Sequence, residues 1–436
     1  MSDVPDALSA PEPPGEKPPA ASLRPDGLHH PATHIKTIMR KLFLSLTLLL
    51  TAAWAAAAGK DSYTVIISLD GFRWDYTEAY DTPFFDRLAL TGVKAIMQPS
   101  FPSKTFPNHY TLATGLVPDH HGIIANKFKV LATGEKFSLS DKDISGNPKF
   151  YGGDPIWLTA KHQGVRAGVI FWVGSDVPIK GEHPDYWHPY SQSAEITFPD
   201  RADEIVKLLS LPKKDRPHLV MAYFEQPDAH GHTYGPVTMP TRRALESLDS
   251  LLDNLWTRIQ ALPVGDNVNL IITGDHGMTM VPANHQLYPK DFLKDEWVDC
   301  IRNDLPALVY ASKPEYVDSI YNALNGVDHL RVWRKGQVPA YLNYGTNPNM
   351  GDLIVLPDLG WVFDKTEWPV CGTHGYDPTY SDMLVAFRAI GPDFKQGYTR
   401  PGAFRNVCIY PLLCHLLGLT PSPNDGSLEE VSDMLR

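Results

Sequence analysis

Four short acid- and imidazole-bearing motifs sit beside apolar runs in this chain. Asp70 closes Tyr63–Leu69 (YTVIISL), and Glu225–His232 (EQPDAHGH) follows Leu219–Phe224 (LVMAYF). Gly274-Asp275-His276-Gly277 follows Val268–Thr273 (VNLIIT), and Gly372–Asp377 (GTHGYD) precedes Asp382–Ala389 (DMLVAFRA). Together they offer three carboxylates and three imidazoles: Asp70, Asp228, Asp275, His232, His276 and His374. Hard oxygen mixed with imidazole nitrogen is a donor set that suits zinc. One Asp after a strand is commonly only a cap or turn former, but four such motifs at strand ends call for a shared purpose. A hydroxyl nucleophile is available at Thr105, in Pro102–His109 (PSKTFPNH), where prolines stop any earlier helix and a new one runs toward Thr114. A helix N-terminus presents free N–H groups and partial positive charge to a phosphate; the plain alternative is that Thr105 only caps the helix.

The elements that must position these groups alternate in type. The three apolar runs are short and β-branched, as in strands buried on both faces. Thr82–Thr91 has helical spacing, with Phe84, Phe85, Leu88 and Ala89 on one side, and Ala95–Met97 reads as a further short strand. Thr241–Leu262 is a long amphipathic helix carrying Leu245, Leu248, Leu251, Leu252, Leu255 and Ile259 on one face. Asp382–Ala389 reads as a late strand and Asn406–Leu417 as a terminal helix. This alternation predicts an α/β fold with a doubly wound, mostly parallel sheet. In such sheets ligands bind beyond the carboxyl ends of the strands, which is where the acids and histidines fall. The less regular span of about 281–370, rich in Trp, Pro and Asn, reads as a smaller inserted subdomain.

Lys104–Tyr110 (KTFPNHY), His121–Lys127 (HGIIANK), Glu225–Gly235 (EQPDAHGHTYG), Thr273–Met278 (TGDHGM), Gly372–Tyr376 (GTHGY) and Leu417–Leu428 (LGLTPSPNDGSL) occur in order. Together they resemble the nucleotide pyrophosphatase/phosphodiesterase family of the alkaline phosphatase superfamily, from about Ser62 to the C-terminus. The resemblance implies an alkaline-phosphatase-like catalytic domain over 59–436, of bacterial single-domain type, without the somatomedin-like and nuclease-like domains of larger animal members. It implies two Zn2+ per chain. Asp228, His232 and His374 would hold one ion; Asp70, Asp275 and His276, with the Thr105 oxygen, would hold the other. Asn126 would act with the Thr105 backbone N–H on the phosphoryl oxygen.

The implied reaction is attack by Thr105 on phosphorus, loss of an alcohol or pyrophosphate, and hydrolysis of the phosphothreonine, for example NTP to NMP plus pyrophosphate. Bound metals would lower the pKa of the attacking groups and clamp the displacement. Phe106, Tyr190 and Tyr223 match aromatic positions that grip a base, although aromatics most often fill cores. Lys127 is placed to meet a distal phosphate. Gly181–Tyr190 (GEHPDYWHPY) resembles the insertion loop of nucleotide-cleaving members, which argues against the rival substrates, lysophospholipid or choline-type esters. A phosphomonoesterase would be expected to carry Ser with a neighbouring Arg, and a sulfatase would need Cys/Ser-x-Pro-x-Arg; this chain has Lys104-Thr105-Phe106. A non-enzymatic module on the same scaffold would be expected to lack a ligand, and none is missing.

Composition bounds the rest. The net charge of −11 over 436 residues disfavours general nucleic-acid binding, which needs a basic footprint. The expected partner is a small nucleotide, met by a monomer. Residues 1–38 read as a disordered or over-extended leader. Residues 39–58, with Met39-Arg40-Lys41, an apolar run and an Ala-rich site, read as a signal peptide. Export to a bacterial periplasm is expected, with an uncleaved membrane anchor as the alternative and no span after cleavage. Four cysteines, Cys300, Cys371, Cys408 and Cys414, form no Cys-x-x-Cys pair; in an exported chain they read as one or two disulfides.

Overall fold

In the computed structural model Tyr63–Leu69 (β1) is buried at all seven positions, as are Leu219–Phe224 and Val268–Thr273 on either side of it. Apolar side chains on both faces of a strand require cover on both faces, and each fully buried Val, Leu or Ile is worth about 1.5–3 kcal/mol. The structure describes residues 62–364 and 371–436, all within one unit spanning 57–436. The leader 1–38 and the signal segment 39–58 lie outside the described residues.

The other strands are β2 (Val93–Gln98), β3 (Lys127–Lys129), β4 (Lys136–Ser138), β5 (Ala167–Ile170), β6 (Tyr186–His188), β7 (Leu219–Phe224), β8 (Val268–Thr273) and β9 (Thr279–Met280). They continue with β10 (Val298–Arg302), β11 (Ala307–Ala311), β12 (Leu330–Arg334), β13 (Leu353–Pro357), β14 (Gly372–Thr373), β15 (Val385–Ile390) and β16 (Tyr398–Arg405). The main sheet has eight strands in the order β16-β2-β15-β8-β1-β7-β5-β6. All pairings are parallel except those of β15, which runs antiparallel to both β2 and β8. The fold is therefore α/β with a mixed, mostly parallel sheet, and the carboxyl ends of β1, β7 and β8 share one edge.

The helices that matter for the site are α1 (Pro83–Thr91), α2 (Thr105–Thr114), α3 (Phe198–Leu209), α4 (Asp228–Tyr234), α5 (Met239–Gln260) and α6 (Ile409–Leu416). The first turn of α1 is capped from outside, by the Asp249 carboxylate of α5 on the N–H groups of Phe84 (3.1 Å) and Phe85 (2.9 Å). Several boundaries differ from the sequence expectation: β2 is longer at both ends, α5 also ends two residues early at Gln260, and three helix or strand starts shift as follows. α5 starts two residues early, with proline in its first turn. The late strand starts at Val385 because Ser381–Met383 forms a 3-10 turn. Asn406–Cys408 is likewise a 3-10 turn before α6.

Within the span expected as an insertion, β10, β11, β13 and β12 form a separate four-stranded sheet, antiparallel throughout. It has its own core around Val309, Ile320, Leu324 and Val355. It is tied to the main sheet's side through Asp119, whose Oδ2 accepts from Thr346 N (2.6 Å), Thr346 Oγ1 (2.8 Å) and Asn347 N (3.2 Å).

The expected disulfides are not formed: all four cysteines are free. Cys408 and Cys414 are buried at the terminal helix among apolar neighbours, where burial pushes their thiols up to about 11 and about 12. Here they pack as small hydrophobes. Cys300 lies in the inserted sheet and Cys371 is exposed.

Candidate active site

The turn after β1 is the first part of the site. Gly71 adopts φ +70°, and a Cβ there would stand 3.1 Å from the Asp228 Cα, so glycine lets the two loops meet. Its N–H donates to Asp275 Oδ1 at 3.1 Å. Because β8 and β7 flank β1, the acids at their ends are brought beside Asp70 from sequence distances of more than 150 residues.

Two clusters result, Asp228/His232/His374 and Asp70/Asp275/His276, each offering three donor atoms within 4.8 Å of one another. In the first, Asp228 Oδ1 is 3.4 Å from His232 Nε2 and 3.6 Å from His374 Nε2, and the two imidazoles are 3.2 Å apart. In the second, His276 Nε2 lies 3.2 Å from Asp70 Oδ1 and 3.0 Å from Asp275 Oδ2. The Thr105 hydroxyl lies 3.2 Å from the same nitrogen. Tetrahedral coordination with bonds of about 2.0 Å spaces neighbouring donors at about 3.3 Å, and these separations bracket that value. The His276 and His374 rings stack with centroids 3.5 Å apart, so the clusters adjoin.

Two further observations fit metal binding. Asp70 Oδ1, Asp228 Oδ1 and Asp275 Oδ2 are buried and accept no hydrogen bond, a costly state unless something positive faces them. All three histidines point Nδ1 at a main-chain carbonyl: His232 at Gly372 (2.8 Å), His276 at Gly277 (2.8 Å) and His374 at Ser103 (2.8 Å). A carbonyl can only accept, so Nδ1 carries the proton and the Nε2 lone pair faces the cluster, the usual orientation of a metal-binding imidazole.

The electrostatics agree. Burial, then the charges of Asp275 and Asp228, push the Asp70 carboxyl up to about 7. Burial works against ionised Asp275, yet His276 and His109 hold it far below the carboxylate range. Burial also opposes a charged His276, but Asp275 and Asp70 hold it well above the ordinary imidazole value. His374 goes the other way: burial, then His276, Lys104 and His232, keep it neutral and able to ligate. The site is built around positive charge placed between its acids.

Thr105 opens α2, with Lys104 at the N-cap in extended conformation. Asn126 Oδ1 accepts the Phe106 N–H at 3.1 Å, which ties Asn126 to the first turn of α2, next in sequence to Thr105. Phe106 and Tyr190 meet edge to face at 5.0 Å, and Tyr190 contacts Tyr223 at 5.5 Å. Tyr223 also has another task, since its buried hydroxyl donates to Asp70 Oδ2 at 2.7 Å. Lys127 is exposed and shares with Lys104 the lining of a cleft of about 340 Å³.

Three residues escaped the sequence reading. Lys104 forms a buried ion pair of 2.9 Å with Asp304, from the inserted span, and Asp304 Oδ2 also accepts the Asn126 N–H at 3.2 Å. His109 sits fully buried one turn after Thr105, at 3.0 Å from the Thr105 carbonyl, 3.3 Å from Asp275 Oδ2 and 2.8 Å from Ser68 Oγ. Lys104 and His109 belong to a motif whose Thr105 and Phe106 alone were given roles; Asp304, in Asp-Leu-Pro just before a buried run, carries no signal beyond that position.

A mixed α/β sheet with a helix-start threonine facing two His/Asp clusters at its carboxyl edge defines a hydrolase of alkaline-phosphatase-like fold. The comparisons with known proteins narrow the class. The family profile described as "Type I phosphodiesterase / nucleotide pyrophosphatase" matches residues 64–377. Ectonucleotide pyrophosphatase/phosphodiesterase family member 1 of Homo sapiens is 34% identical over 391 residues, covering 86% of this chain and 42% of that protein. Venom phosphodiesterase of Macrovipera lebetinus is 34% identical over 402 residues, covering 88% of this chain and 46% of its own length. Among solved structures, murine ectonucleotide pyrophosphatase/phosphodiesterase 5, an inactive threonine-to-alanine variant in complex with AMP, matches with TM-score 0.81 and 34% identity. That match covers 86% of this chain and 100% of the solved one. The chain belongs to the type I phosphodiesterase/nucleotide pyrophosphatase family. It spans less than half the length of these two curated relatives.

These relatives are human, murine and viper proteins, which corrects the expected bacterial type and, with it, the periplasmic address. Among the described residues no helix is long and apolar enough to cross a membrane; the alternative N-terminal anchor lies outside them.

Proposed function

We propose that this chain hydrolyses nucleotide phosphodiester and pyrophosphate bonds, releasing a nucleoside monophosphate, with Thr105 as nucleophile and zinc in both clusters. The carrying observation is the Thr105 hydroxyl 3.2 Å from His276 Nε2, in a cluster whose buried carboxylate oxygens accept no hydrogen bond. Asp228, His232 and His374 would hold one ion, and Asp70, Asp275, His276 and Thr105 the other. Bound zinc would supply Lewis acidity, favouring the ionised threonine and a hydrolytic water at neutral pH. Thr105 Oγ bonds to phosphorus as the bond to the leaving oxygen breaks, and water later cleaves the phosphothreonine. The Asn126 –NH2 group donates to the phosphoryl oxygen as charge builds there. Phe106 and Tyr190 receive the base, with the Tyr223 ring behind them, and Lys127 faces the distal phosphates. The AMP complex of the murine relative supports this reading, since that protein was captured with a nucleotide once a threonine was replaced by alanine.

The test is incubation of the protein and its Thr105→Ala variant with ATP in zinc. AMP and pyrophosphate from the parent, with turnover in the variant down about 10³-fold or more, is the expected result. A parent that leaves ATP intact while cleaving a lysophospholipid or a monoester would overturn the nucleotide assignment.

A further inference from the structure

Arg201 is a charged residue with no solvent contact. It lies on α3, and its side chain is fully buried, with the guanidinium 4.9, 5.0 and 5.6 Å from the ring centroids of Phe171, Phe198 and Phe224. Burying an ion this far is costly unless its donors are met. Nη1 donates to Glu225 Oε2 (2.7 Å) and to the Tyr223 carbonyl (2.7 Å), and Nη2 donates to Glu225 Oε1 (3.1 Å). Nη2 also donates to the Ser193 carbonyl, and Nε donates to the Ile196 carbonyl at 3.3 Å. One side chain thus joins the end of β7 to the segment that begins at Tyr190.

That segment needs such a tether. From Ser191 to Thr197 no residue is buried, so apolar packing cannot fix its course. Its other polar ties are at its two ends: Ser191 N donates to Asp176 Oδ2 (3.2 Å) and Lys142 Nζ to the Ser191 carbonyl (2.8 Å), while Thr197 caps α3, its Oγ1 accepting the Asp200 N–H at 3.3 Å and its carbonyl the Arg201 N–H at 3.1 Å. Between those ends, the Ser193 and Ile196 carbonyls hang on the Arg201 side chain. Tyr190 opens the segment and stands edge to face with Phe106 at 5.0 Å, the residue after the nucleophile.

We infer that Arg201 is a positioning residue for nucleobase recognition: it holds the Tyr190 segment against the end of β7 so that Tyr190 and Phe106 form a base-binding cleft. This deepens the nucleotide reading above and rests on it. Arg201 touches neither the metal clusters nor Thr105, so its influence is on substrates that carry a base. Lysine cannot replace it fully, because a single ammonium cannot span a carboxylate and three carbonyls in a planar fork.

The experiment compares two diesters with the same leaving group, p-nitrophenyl thymidine 5′-monophosphate and bis(p-nitrophenyl) phosphate, which has no base. Arg201→Lys is expected to raise KM for the nucleoside ester about tenfold, in the range of losing one base–aromatic stack. Its kcat, and its kcat/KM on the baseless ester, stay within about twofold of the parent, which also shows that the variant folds. In a Tyr190→Ala background the same change adds less than about twofold, because both act through one cleft. Glu225→Gln, which leaves every carbonyl contact in place, shifts KM the same way by a smaller factor and serves if Arg201→Lys does not fold. Equal losses on both esters would overturn the inference, since Arg201 would then act on the fold or the metal loop. A full effect persisting without Tyr190 would overturn it too. A parent that shows no preference for the nucleoside ester would overturn the nucleotide reading itself, and this inference with it.

Discussion

Removing Asp304 should damage stability and chemistry together, and the two can be separated. Lys104 Nζ and Asp304 Oδ1 are 2.9 Å apart, with both side chains only 8% exposed. At that distance, with an effective dielectric of 20, their attraction is about 6 kcal/mol before the cost of desolvating both ions. Asp304→Ala deletes the attraction but leaves the ammonium buried, which typically costs about 3–5 kcal/mol. At a urea slope of about 3 kcal/mol per molar, the unfolding midpoint should fall by about 1–2 M. The variant also strips the Asn126 N–H of its acceptor, 3.2 Å away, so turnover of a nucleoside p-nitrophenyl ester should fall as Asn126 loses its place beside Thr105. The double change Lys104→Met with Asp304→Leu replaces the pair with apolar bulk. It should restore the stability to within about 1 kcal/mol of the parent while leaving turnover low. A midpoint for Asp304→Ala within about 0.3 M of the parent, well inside the slope given above, would refute the burial argument. Full turnover in the double variant would refute the positioning argument.

Asn126→Ala should lower kcat about 10²–10³-fold while leaving KM for the nucleoside ester nearly unchanged, as for loss of one donor to developing charge; steady-state kinetics check this. Chelation should abolish turnover and added zinc restore it, and Asp228→Asn should lower bound zinc from two ions toward one by metal analysis, because an amide is a far weaker ligand than a carboxylate. His121 gives a pH test away from the metal clusters. It is fully buried; its Nδ1 accepts the Ile123 N–H at 3.2 Å, and its Nε2 faces the Pro107 carbonyl at 3.1 Å, so only the neutral ring fits. Burial pushes it down to about 3 from 6.5. Its contribution is therefore full above pH 6.5 and is lost as pH falls toward 3, because the unfolded chain binds a proton that the folded chain refuses. Between pH 8 and pH 5 the parent should lose about 2 kcal/mol more than His121→Asn, read from paired urea titrations.

The side chains of the two candidate metal clusters were legible because each lies beside an apolar run, and a buried strand in an α/β sheet must deliver the residues after its last position to one edge. Asp70, Asp228, Asp275 and His276 needed only that rule. Thr105 was legible for a similar local reason: prolines on either side mark a helix start, and a helix start exposes N–H groups. The leucine spacing of α5 likewise declares its own buried face.

Tertiary structure alone decided how these parts meet. The order β8-β1-β7 makes Asp275 and His276 neighbours of Asp70 and sets Asp228 on the far side, and strand order is not written in any one strand. The Tyr223 hydroxyl on Asp70, the Asp304 carboxylate on Lys104 and Asn126, and the burial of Arg201 are contacts between distant or differently facing segments. Arg201 on an amphipathic helix reads as an ordinary solvated charge until three rings and a carboxylate close around it. The free cysteines obey the same rule, because a count of four and an expected export suggested pairing while only geometry brings sulfur atoms together. Local periodicity reports which face of an element is buried. The surface that covers this face depends on loop closures spanning tens to hundreds of residues, and these only the folded chain specifies.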